Sequence, residues 1–238
     1  MGAAAGATVA TSAVAENPAV STGEATVELL GAVRDRVEGN VVHLRLRTSA
    51  GDISARYHPV PDATAAAVWV GGAGGGLDGP AGGLYPAACE QLQPNGIAGL
   101  RVDYRFPNEL TNCTLDTLIA VEFLRTEGIE RVALIGHSFG GAVVISAGAR
   151  SNLVKAVIPM STQSYGTDDA RRIAPRSLLL IHGTEDEILS DRCSQQVFDR
   201  ARQPKELKLY PGARHGLDSA REEILRLLTL WIPAKLKP

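Results

Sequence analysis

The chain has 238 residues, 45% hydrophobic and 21% charged, with a formal net charge of -2. That length suits one large α/β domain with a sizeable core. The near-even charge excludes an electrostatic case for nucleic acid or an anionic membrane as partner, and no apolar run approaches the ~20 residues that cross a bilayer. Cys89, Cys113 and Cys193 are odd in number, far apart and never in a C-x-x-C pair. Disulfides and a zinc site are therefore not expected, the thiols read as buried structural groups, and a reducing, cytoplasmic setting follows.

Residues 1–25 are rich in Ala, Gly, Thr and Val, lack periodicity, and precede the first basic residue, Arg34. That composition supports neither a secretory signal nor a transit peptide. The segment is expected to be a flexible or loosely packed extension, with residues 26–238 forming a single domain. Between Ala32 and Val60 the alternation Val41-Val-His-Leu-Arg-Leu46, the turn Ser49–Asp52 and the return Ile53–Tyr57 predict a hairpin-like pair of strands. Six apolar runs follow as strands: Ala65–Val70, Ile97–Val102, Val132–Ile135, Val154–Met160, Ser177–Ile181 and Leu207–Tyr210. Most are continuous rather than alternating, which implies strands covered on both faces. Leu115, Leu118, Ile119, Val121 and Leu124 recur at helical spacing, as do Ile224, Leu225, Leu227, Leu228 and Trp231. Strands alternating with helices predict an α/β fold with a doubly wound, mostly parallel sheet, whose ligands bind at the carboxyl ends of the strands.

The strand ending at Ile135 runs into Gly136-His137-Ser138-Phe139-Gly140-Gly141, and Ala142–Ala147 then reads as a helix. A serine between glycines at a strand-to-helix corner has the form of a nucleophile elbow, with helix N–H groups beside its hydroxyl. The motif alone also fits a serine N-cap at a glycine-rich turn, so the case depends on a base and an acid.

A serine hydroxyl needs a base to act as a nucleophile, and the base needs an orienting acid. Of the five histidines, His43 and His58 fall in the amino-terminal strands, His137 should point away from the elbow, and His182 precedes every candidate acid. His215, in the loop Pro211-Gly-Ala-Arg-His-Gly216 after the last strand, is the candidate base. The acid should lie between serine and histidine, on a loop after a strand. Leu178–Ile181 followed by His182-Gly-Thr-Glu-Asp-Glu187 supplies it. Asp186 is the candidate, with Glu185 and Glu187 read as solvated neighbours.

These three blocks, Gly-His-Ser-Phe-Gly-Gly, His-Gly-Thr-Glu-Asp-Glu and Gly-Ala-Arg-His-Gly, resemble the nucleophile, acid and histidine blocks of the α/β-hydrolase superfamily. The resemblance runs from about Ala55 to the C-terminus. Small dienelactone-hydrolase-like and esterase-like members are the most similar, although dienelactone hydrolases typically carry a cysteine where Ser138 stands. The resemblance implies a Ser138–His215–Asp186 triad and an oxyanion hole from the backbone N–H groups of Phe139 and Ala73. Gly71 stands where relatives often have histidine, which should leave that loop more flexible. It also implies hydrolysis of a small or medium acyl ester or thioester through an acyl-enzyme, without metal or cofactor. Because the base must be neutral, activity is expected to rise with pH through roughly 6 to 7.

Only Ser161–Arg176 separates two strands at the point where relatives insert a lid, so no large cap is expected. Gly74, Arg105, Gln163 and Tyr165 are candidate substrate contacts. Arg105 reads equally as half of a structural ion pair, and the last two equally as surface residues. The pattern is silent on oligomeric state and on which small-molecule acyl substrate is used. Two other readings compete. One is a non-catalytic scaffold with the same fold. The other is a dinucleotide site, from Gly74-x-Gly76-x-x-Gly79 after a strand with Asp103 on the next. Pro80, Gly82, Gly83 and Pro86 oppose the latter by disrupting the helix it needs.

Overall fold

The computed structural model describes residues 17–237. Its strands are β1 (Ala19–Ser21), β2 (Thr26–Glu38), β3 (Val41–Thr48), β4 (Gly51–His58), β5 (Ala65–Val70), β6 (Ile97–Asp103), β7 (Arg131–His137), β8 (Val154–Met160), β9 (Ser177–Gly183) and β10 (Lys205–Tyr210). The helices are α1 (Pro80–Leu92), α2 (Leu110–Thr126), α3 (Phe139–Gly148), α4 (Arg192–Arg200) and α5 (Arg221–Lys235). All ten strands join one sheet in the order β1-β2-β3-β4-β6-β5-β7-β8-β9-β10. The first four pair antiparallel, β4 meets β6 antiparallel, and every pair from β6 to β10 is parallel.

The continuous apolar runs are the parallel strands, because helices cover both of their faces. Ala66, Val68 and Val70 of β5 enter a core with α2, α3 and α4, while Ala65, Ala67 and Trp69 enter a second with α1 and α5. The register aligns the carboxyl ends of three strands, with Val70 opposite both Val102 and Gly136. The loops after β5, β6 and β7 therefore emerge side by side.

Several elements differ from expectation. β2 reaches back to Thr26 and was not read as a strand, because only Val27 and Leu29 alternate inward before bulges at Leu29/Gly31 and Arg34/Arg36 break the pattern. Residues 1–16 of the expected extension lie outside the described residues, and Ala19–Ser21 pairs with β2. α1 forms despite its glycines and prolines. Ala81, Gly82 and Gly83 take left-handed angles at its start, and Pro86 follows within the first regular turn, where its missing N–H costs nothing. Cys89 and Cys113 are buried, whereas Cys193 is half-buried, and all three are free thiols. No helix among the described residues is long and apolar enough to cross a membrane.

Candidate active site

β7 ends at His137 and α3 starts at Phe139, so Ser138 makes the whole turn, at φ 57° and ψ -122°. A side chain at Gly136 would strike the Gly140 carbonyl, and one at Gly140 would strike the Gly71 carbonyl. The corner closes only because both lack Cβ. The Ser138 N–H donates to Met160 O at 2.8 Å, tying the corner to β8.

The Ser138 Oγ lies 3.1 Å from His215 Nε2. On the other side of the ring, His215 Nδ1 is 2.8 Å from Asp186 Oδ2 and 3.0 Å from Oδ1. A carboxylate only accepts, so Nδ1 carries the proton and Nε2 presents its lone pair to the hydroxyl. The Asp186 side chain is 0% exposed. Burial raises its pKa, but the Leu189 N–H, His215 and the Ile188 N–H outweigh that and hold the carboxyl below its ordinary value.

Three further residues grip this chain, and their signals were missed in the sequence. His137 was expected to point away from the elbow. Instead its ring lies 4.8 Å from that of His215, and its Nε2 donates to the His215 carbonyl at 2.9 Å. Burial lowers its pKa to about 4, so it is a neutral donor. The Ser161 hydroxyl donates to the same carbonyl at 3.2 Å. Glu187, expected to be merely solvated, accepts the His215 N–H at 3.1 Å and pairs with Arg214 at 3.1 Å. Its adjacency to Asp186 was the available clue.

The glycine loop after β5 passes beside the serine. A Cβ on Gly72 would lie 3.4 Å from Ser138 Cβ. Ala73 and Gly74, next along the chain, are exposed. Contrary to the expected flexibility, the loop is pinned from several sides. The Tyr85 hydroxyl donates to Val70 O at 2.8 Å, that of Tyr104 to Gly71 O at 3.2 Å, and Gly75 N–H to Gly72 O at 3.0 Å. Asp103 accepts the Gly76 N–H at 2.8 Å. Its Oδ1 is thus engaged with the loop itself. Phe139 is the first residue of α3, and an N–H there has no intrahelical acceptor.

The other candidate contacts separate. Arg105, with 3% of its side chain exposed, pairs with the buried Asp116 at 2.6 Å and donates to Ala50 O at 2.8 Å. Of its two readings the structure holds the ion pair. The Gln163 side chain donates to Tyr165 O at 3.0 Å, and Tyr165 stands 82% exposed on the connection after β8. That connection contains only a 3-10 turn at Asp168–Arg172, so no cap covers the serine. Among the described residues, no group of three or more His, Cys, Asp or Glu side chains is arranged to hold a metal ion.

The profile of the dienelactone hydrolase family matches residues 98–226, more than half of the chain. The chain belongs to the dienelactone hydrolase family. It has the α/β-hydrolase fold, and Ser138, Asp186 and His215 all fall within the matched residues. The uncharacterized protein YfhR of Escherichia coli strain K12 is 28% identical over 109 residues, 36% of this chain and 38% of that relative. The hydrolase thus matches well under half the length of this curated relative. Among solved structures it resembles the esterase domain of a Rhodothermus marinus protein, at TM-score 0.69 and 20% identity, over 83% of this chain and 99% of that one. Dienelactone hydrolase from Anabaena variabilis gives TM-score 0.68 and 18% identity, over 93% and 98%. XC6422 from Xanthomonas campestris, described as a serine hydrolase without lid, gives 0.67 and 19%, over 85% and 98%. At these identities the structures share the fold.

Proposed function

We propose that the hydrolase cleaves small or medium acyl esters or thioesters by two-step acyl transfer on Ser138. The observation that carries this is the unbroken hydrogen-bonded chain Ser138–His215–Asp186 at the corner between β7 and α3. His215 Nε2 takes the hydroxyl proton as Oγ attacks the carbonyl carbon. The same nitrogen then returns the proton to the departing alcohol or thiol. Asp186 holds the Nδ1–H tautomer and stabilises the imidazolium as it forms. The tetrahedral oxyanion is received by the N–H groups of Phe139 and Ala73, each such donor typically contributing ~3 kcal/mol. Water, activated by His215, then releases the acyl group. The proton only shuttles between Oγ, Nε2 and the leaving group or water.

The uncapped connection after β8 favours an open site and modest acyl groups. Labelling by a fluorophosphonate probe tests the reading. Wild type should label, and Ser138→Ala and His215→Ala should not. Wild type that stays folded but unlabelled would remove the activated serine from the account.

A further inference from the structure

His182 is buried at the end of β9, and neither proton transfer nor substrate contact uses it. Hydrogen-bond chemistry settles its tautomer. Its Nε2 is 2.8 Å from Leu189 O, which only accepts, so Nε2 carries the hydrogen. Nδ1 is then a lone pair, and the Ser194 hydroxyl donates into it at 2.7 Å. The same Nε2 atom lies 3.1 Å from Asp186 Oδ2, the oxygen that accepts from His215. The acid therefore sits between two imidazoles, and the side chains of His182 and Asp186 are both 0% exposed. The chain runs on from Asp186 through His182 to Ser194 in the first turn of α4.

We propose that His182 is a positioning residue for Asp186, a role that rests on the triad reading above. Backbone N–H groups of Ile188 and Leu189 both bind Oδ1, so Oδ2 is the oxygen less restrained as the carboxylate turns about Cβ–Cγ. His182 Nε2, whose hydrogen goes to Leu189 O, stands 3.1 Å from Oδ2, the oxygen nearer to His215. Two backbone donors on Oδ1 and the His182 imidazole edge against Oδ2 hold the plane of the carboxylate and so the direction in which it accepts the Nδ1–H. Ser194 in turn keeps His182 from presenting Nδ1, because the alternative tautomer would set a lone pair against both Leu189 O and the carboxylate.

The test measures p-nitrophenyl acetate turnover by wild type, His182→Leu, His182→Gln and Ser194→Ala. For each, the low-field proton resonance of the His215–Asp186 hydrogen bond is also recorded. His182→Leu should lower kcat by about 10- to 100-fold, the loss typical when an orienting partner is removed from a functional histidine, with KM within about twofold. Its low-field resonance should broaden or vanish. Glutamine places an N–H near the Nε2 position and should restore kcat to within about fivefold of wild type, as should Ser194→Ala, which keeps the His182 donor. A folded His182→Leu with full kcat and an unchanged resonance overturns the proposal. So does equal loss in the leucine and glutamine variants, which marks mere packing. Should the leucine variant not fold, His182→Asn, whose amide falls short of Asp186, takes its place with the same expected loss. Wild type without ester turnover would count against the triad reading, and the resonance alone would then decide the role of His182.

Discussion

His137 and His215 meet across 78 residues of chain, with the His137 Nε2–H on the His215 carbonyl at 2.9 Å. The base is therefore held by its backbone from below and by Asp186 through its ring, so its Nε2 has one direction left, toward Ser138. Replacing His137 by leucine leaves that half-buried carbonyl with Ser161 alone. Loss of a buried partner typically costs ~1–3 kcal/mol. His137→Leu should lose that much in urea unfolding and fall about tenfold in kcat, whereas His137→Gln should keep most of both. Full stability and turnover in the leucine variant would show that Ser161 alone fixes the loop.

The elbow stores strain in one non-glycine residue. Ser138 sits at φ 57°, and such positions typically cost ~1–3 kcal/mol. Ser138→Gly should unfold at higher denaturant than Ser138→Ala by about 1 kcal/mol, while both lose fluorophosphonate labelling. Equal stability of the two would mean that the corner is not strained at this residue.

Gly140 makes a sharper case, since an added Cβ meets backbone rather than a movable side chain. Gly140→Ala should separate α3 from the loop after β5 and destabilise by more than ~3 kcal/mol, among the large single-residue effects. A well-folded, active Gly140→Ala enzyme would contradict the packing described for the corner.

Arg105 and Asp116 form a buried pair at 2.6 Å, with Asp116 also accepting the Arg105 N–H at 2.8 Å. Removing one partner strands the other charge, at a typical ~3–5 kcal/mol. Asp116→Ala should lose about that in chemical denaturation, and the double change Arg105→Met with Asp116→Leu should recover much of it. KM for p-nitrophenyl acetate should be unchanged in the double variant. A rise in KM of tenfold would return Arg105 to the substrate.

Acid should weaken the fold over a defined window. Burial, helped by the Arg101 charge, holds His58 at about 4, and burial holds His137 at about 4. An unfolded imidazole takes its proton near pH 6.5. The folded state thus binds fewer protons at these two rings between those values, so their contribution to stability is full above about pH 6.5, falls as pH drops, and is lost below about pH 4. The fully buried His58 accounts for about 3 kcal/mol of that fall. His58→Gln should flatten the slope of unfolding free energy between pH 6.5 and 4 by roughly half. An unaltered slope would mean that His58 takes no part.

The order of the parallel strands, the elbow and the three candidate catalytic blocks were legible because each is a local signal. An apolar run six residues long must be covered on both faces, glycines flanking a serine must permit a corner, and a loop after a strand must lie at its carboxyl end. β2 escaped because its bulges break the period of two that marks a strand. Ala73 could be placed only by resemblance. The tertiary structure alone decided what surrounds the candidate triad. His137 turned inward to His215, His182 came to lie against Asp186, Glu187 tied down the His215 N–H, and Tyr85, Tyr104 and Asp103 pinned a loop that Gly71 in place of histidine suggested was loose. Arg105 was likewise joined to Asp116. Most of these contacts join residues far apart in the chain, from 11 positions for Arg105 and Asp116 to 78 for His137 and His215. A side chain's partners there depend on where the sheet register delivers distant loops, which no local pattern of residue types encodes.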